Sequence, residues 1–164
     1  MEISRQMGIH VVRDTDAGVL KNECGRSYYN GEKWAIVYDD SMPCTAIRYT
    51  LAHELGHIFL GHPLSKKKYM SMGNGIYKAE CSERQADYFA ERLLCPACVL
   101  WALELESAEQ IAELCQVELS VAERRYKRLE ELRKKGKFLT HPLERELLEN
   151  FIPYIESIED INEL

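Results

Sequence analysis

The stretch Leu51-Ala52-His53-Glu54-Leu55-Gly56-His57-Ile58-Phe59-Leu60 limits what this chain can fold into more than any other. It sets two histidines and a carboxylate into an otherwise apolar run. Ile47, Leu51, Leu55, Ile58 and Phe59 recur as one broad helical stripe, which predicts a helix from about Thr45 to Leu60 that is buried rather than solvated. Asp39-Asp40-Ser41-Met42-Pro43 supplies helix-entry chemistry before it, and Gly61-His62-Pro63 stops it.

Residues four apart on a helix share a face, with Cβ atoms about 5–6 Å apart. His53 and His57 can therefore converge on one Zn²⁺, which imidazole nitrogens bind at about 2.0–2.1 Å. Glu54 sits beside the first histidine without being obliged to bind, where a general base for an attacking water belongs. Gly56 leaves room for another segment to approach. A second helix, predicted from roughly Ala79 to Leu94, carries Glu83 and Asp87 four apart on a face shared with Ala79, Ala86 and Ala90. Small residues there allow close packing on the first helix, bringing Glu83 to the metal as third ligand. Glu80, Asp87 and His62 are the alternatives. With Glu83 as ligand, Asp87 accepts the free ring N–H of a ligand histidine, His53 first. Tyr69, Tyr77, Tyr88 and His62 are all available as a second oxyanion donor, and spacing does not choose between them.

The first forty residues read as β. Ile9–Val12, Arg26–Tyr29 followed by Asn30-Gly31, and Trp34–Tyr38 predict a small, mainly antiparallel sheet. Between the two long helices, Lys66-Lys67-Lys68 and Gly73-Asn74-Gly75 read as a polar, mobile loop. From Ser107 the chain reads as all-helical, with capping-box patterns at Ser107–Gln110 and Ser120–Glu123. The expected organisation is α+β: a core over residues 1–100, with a helical segment over 101–164 packed on it. No apolar run nears the roughly 20 residues of a membrane span, and Met1–Arg13 lacks signal-peptide character, so a cytoplasmic location is expected. Reduced cysteines fit that compartment. Cys95-Pro96-Ala97-Cys98 has the spacing of a metal pair but no second pair, so both read as residues at a helix end. The formal charge of −6 argues against DNA binding by the whole chain. The charge is uneven, basic over Val121–Lys137 and acidic over Leu143–Leu164, where interspersed apolar residues suggest an amphipathic helix that docks on this chain or another protein.

Arg48-Tyr49-Thr50-Leu51-Ala52-His53-Glu54-Leu55-Gly56-His57, then Glu83-Arg84-Gln85-Ala86-Asp87-Tyr88-Phe89-Ala90 and Leu93-Leu94-Cys95-Pro96, resembles the ImmA/IrrE family of zinc metallopeptidases. Cys95 stands where that pattern has Met. The resemblance runs from about residue 8 to 130. It implies a zincin-like fold, with His53, His57 and Glu83 as zinc ligands and Glu54 as catalytic acid/base. It further implies a regulatory protease of the phage and mobile-element anti-repressor type, acting on a helix-turn-helix repressor. A protein that keeps the fold but works by sequestering such a partner without cutting it is the alternative. Ser107–Arg133 has a helix-turn-helix flavour, yet glutamates among its arginines favour a packed bundle over direct DNA binding.

Overall fold

A computed structural model describes residues 2–63 and 75–162, with side chains described for 2–63 and 80–158. The chain divides into two compact units, residues 1–93 and 94–164. In order, the first holds α1 (Glu2–Gln6), β1 (His10–Arg13), α2 (Asp14–Ala17), β2 (Gly25–Tyr29), β3 (Trp34–Tyr38), α3 (Cys44–Phe59) and α4 (Gly75–Leu94), whose last residue begins the second. The fold is mixed α+β, with one small three-stranded sheet.

β2 and β3 form the hairpin that Asn30-Gly31 predicts, with Tyr29 opposite Trp34 and Gly25 opposite Tyr38. The Asn30 side-chain oxygen accepts the backbone N–H groups of Glu32 and Lys33 at 2.9 and 2.8 Å, which closes the turn. The sheet is not mainly antiparallel. Its order is β1-β3-β2, and β1 lies parallel to β3, with Val11 opposite Ile36. After β1 the chain runs through α2 and residues 18–24 to the far edge before the hairpin turns it back, so β3 runs in the direction of β1. The all-β reading of the first forty residues also lacked α1 and α2. At five and four residues they are too short to declare a helical period.

One face of α3 lays Leu51 and Leu55 against Ile9 and Ile36, flanked by Val11, Trp34, Tyr38, Ile47 and Ile58. Burying each leucine contributes roughly 1.5–3 kcal/mol. Phe89 and Leu93 of α4 join this cluster. The helix is less buried than expected, since Phe59 of the stripe and Leu60 at its end are 42% and 48% exposed. The reason is that α3 has two contact faces: its apolar side meets the sheet, and its Gly56 side meets Ala86 of α4. Helix α4 begins at Gly75, ahead of the Ala79 expected from periodicity. The loop residues Lys66–Lys68, Gly73 and Asn74 lie outside the described residues.

In the second unit, α5 (Ala97–Ala102), α6 (Ala108–Cys115), α7 (Leu119–Lys134) and α8 (Pro142–Asn162) are all helical. Ser107 caps α6 with a complete capping box, its side chain taking the Gln110 N–H while Gln110 reaches back. The similar pattern at Ser120 does not cap. Gln116 ends α6 in the left-handed region, and α7 starts at Leu119 after Glu118, leaving Ser120 inside the first turn. Leu148, Phe151 and Ile155 of α8 pack on Cys98 and Val99, so the acidic, amphipathic C-terminal stretch docks within its own unit. Buried Arg125 donates from Nε and Nη2 to the Cys95 carbonyl at 3.1 and 2.8 Å, and Arg133 donates to the Leu105 carbonyl at 2.8 Å. These guanidiniums belong to the bundle rather than to a phosphate-facing surface. No cysteine is joined to another by a disulfide, and Cys95 and Cys98 are buried. Among the described residues no helix is long and apolar enough to cross a membrane.

Candidate metal centre

His53 and His57 stand one turn apart on α3, and α4 brings Glu83 to them. His53 Nε2 lies 3.0 Å from His57 Nε2 and 3.3 Å from Glu83 Oε2, and His57 Nε2 lies 3.7 Å from the same oxygen. Ligand atoms about 2.05 Å from a tetrahedral ion stand about 3.3 Å apart. The three separations scatter around that edge length, so the triangle has the size of one face of a zinc tetrahedron. Among the described residues His53, His57 and Glu83 form a cluster able to hold a metal ion.

The close approach of the two helices starts at Gly56. A Cβ built there would meet the Ala86 Cα at 3.1 Å, the Ala86 carbonyl oxygen at 3.2 Å and the Phe89 Cβ at 3.2 Å. Ala86 at that contact is fully buried, as is Ala90 one turn further along α4; the Ala79 side chain lies outside the described residues. Gly56→Val is expected to lower stability by about 1–3 kcal/mol through overpacking. Because it wedges Glu83 away from the histidines, it should also weaken metal binding, which denaturant melts and zinc titration together will reveal.

Hydrogen bonds orient each group. His53 Nδ1 is 2.9 Å from Asp87 Oδ1, which also accepts the Tyr49 hydroxyl at 3.0 Å. With its Nδ1 proton donated there, His53 offers Nε2 to the cluster as the ligating nitrogen. Glu54 is buried, and Ser27 Oγ of β2 donates to its Oε2 at 2.6 Å. Of the candidate oxyanion donors, Tyr88 is half exposed and leans towards Arg92, His62 has both ring nitrogens engaged, and the Tyr69 and Tyr77 side chains lie outside the described residues. A cleft of about 650 Å³ opens onto the cluster, lined by residues of β2, α3 and α4. Sequence reasoning missed Ser27, Tyr49 and Gln85. Tyr49 precedes His53 by one turn and was findable by helical spacing, whereas Ser27 arrives from a strand through tertiary packing alone.

Burial opposes a proton on His53, but its bond to Glu83 and the charge of Asp87 outweigh this and raise its pKa. Bonds from His53 and His57 hold the Glu83 carboxyl well below the usual range. Burial, reinforced by nearby His57, lowers the pKa of His62. A metal must displace the His53 proton, so zinc affinity should fall by about tenfold per pH unit below the pKa of His53, starting at higher pH than for an ordinary histidine. Chelator competition between pH 5.5 and 8.5 measures this.

Two histidines of one helix and a glutamate of the next thus form a candidate metal site in a mixed α+β unit. The chain belongs to the peptidase M78 family, matching the IrrE N-terminal-like domain over residues 5–127. No curated protein and no solved structure matches it.

Proposed function

We propose that this protein is a zinc-dependent, site-specific endopeptidase that cuts a helix-turn-helix repressor and so relieves repression of a phage or mobile element. The observation that carries the peptidase reading is the tetrahedral-face triangle of His53, His57 and Glu83 with the Glu54 carboxylate one residue away on the same helix. His53, His57 and Glu83 would hold the zinc. When bound, zinc supplies Lewis acidity, polarising the scissile carbonyl and acidifying water. Glu54 takes the proton of the attacking water and delivers it to the leaving amine. Ser27 holds that carboxylate by one oxygen, leaving the other for proton transfer. Asp87 accepts the His53 N–H and keeps that ring in the ligating tautomer. Among the described residues strand β2 is at the sheet edge, and it lines the cleft, so its outward backbone suits an extended substrate segment. The repressor as substrate rests on the family resemblance, and a cytoplasmic setting goes with it.

The test combines metal analysis of the purified protein by mass spectrometry with incubation against the helix-turn-helix repressor encoded nearest to it. About one zinc per chain and a discrete cut are expected. Zinc without a cut would favour a non-cleaving anti-repressor that sequesters its partner, and no metal after reconstitution would sink the site itself.

A further inference from the structure

Among the described residues, no carboxylate meets the outer nitrogen of His57. Its Nδ1 instead lies 3.0 Å from His62 Nδ1, and His62 Nε2 lies 3.0 Å from Gln85 Oε1. Two ring nitrogens can bond at that distance only if one carries a proton and the other does not. The far end of the chain decides which. An amide oxygen only accepts, so His62 carries its proton on Nε2 and, as a neutral ring, presents a bare Nδ1. That nitrogen must accept from His57, placing the His57 proton on Nδ1 and freeing His57 Nε2 toward His53 and Glu83. With the Gln85 amide reversed, every proton in the row would shift over, and His57 would point an N–H at the metal position. We propose that His62 and Gln85 are positioning residues, a neutral imidazole–amide relay that fixes the ligating tautomer of His57; this rests on the zinc-site reading above.

The backbone builds the relay from local sequence. Gly61 takes φ +65°, its N–H bonds the Ile58 carbonyl at 3.2 Å, and the His62 N–H bonds the His57 carbonyl at 2.9 Å. This Schellman turn folds the chain back over the last turn of α3 and sets the His62 ring edge-on to His57, centroids 5.0 Å apart. Gln85 follows Glu83 by two residues on α4, so the helix that brings the carboxylate also brings the amide. The two histidines are thus supported differently. His53 leans on an anion, which strengthens it as a donor, whereas His57 leans on a neutral row that orients it and adds no negative charge to the site.

The test compares zinc dissociation constants, by chelator competition, for wild type, Gln85→Glu, Gln85→Met and His62→Phe. Long-range ¹H–¹⁵N spectra of the zinc-loaded proteins report which nitrogen of each imidazole carries the proton. Expected is His62 protonated on Nε2 in wild type and in Gln85→Glu, which keeps an acceptor. Gln85→Met and His62→Phe should bind zinc about 10–100-fold more weakly, and Gln85→Met should lose the His62 tautomer preference. A His62 proton on Nδ1 in wild type overturns the relay, as does wild-type affinity and tautomer in Gln85→Met. Wild type that binds no zinc would instead bring down the metal centre itself, a result distinct from zinc-binding variants that match wild type.

Discussion

Replacing Glu54 with glutamine is expected to reduce cleavage by about 10²–10⁴-fold, the usual worth of a positioned acid–base group, with zinc content unchanged. That corresponds to about 3–5 kcal/mol of barrier. The substitution is clean here because Glu54 is buried and bonded by Ser27 Oγ at 2.6 Å, and the glutamine carbonyl can accept the same hydroxyl. Fold, metal and substrate contact should survive while the proton acceptor is lost. Single-turnover cleavage with equal zinc in both proteins is the measurement. A Glu54→Gln protein that still relieves repression in cells would end the protease reading and leave a binder.

Glu83→Ala and His57→Ala should each lower zinc affinity by more than about 100-fold, since losing merely the outer partner of a ligand costs about 10–100-fold. The two differ without metal. Glu83 is held ionised by both histidines, so its loss leaves His53 and His57 facing each other at 3.0 Å without the intervening anion. Metal-free Glu83→Ala should therefore melt below metal-free wild type at neutral pH. Zinc per chain after dialysis, by mass spectrometry, tests the ligand assignment; one retained zinc in either variant would remove that residue from the set.

What could be read from the sequence was mostly what helices and hairpins encode locally. His53 with His57, and Glu83 with Asp87, announce themselves at a four-residue spacing, and Asn30-Gly31 announces a turn. Gly56 against Ala86 was partly legible, because small residues mark a close crossing. Hidden were features settled by partners distant in sequence: the parallel pairing of β1 with β3, Ser27 against Glu54, and the exposure of Phe59 and Leu60. Ser120 misled for another reason, since a capping-box pattern declares an available cap while the upstream left-handed turn at Gln116 decides where the helix begins.

The outer edge of β2 has a consequence beyond any substrate. Among the described residues it is an unpaired strand border, and its outward amides should exchange with deuterium quickly while those bonded to β3 lag. A border of that kind accepts any compatible strand, including one from a neighbouring copy, so it is a route to self-association at high concentration. The chain's formal charge of −6 repels neighbouring copies and disfavours stacking of identical edges, whereas Arg26 within β2 is neutralised by Glu23 beside it. Shielding the charge with salt should thus be the condition under which concentrated protein first clouds.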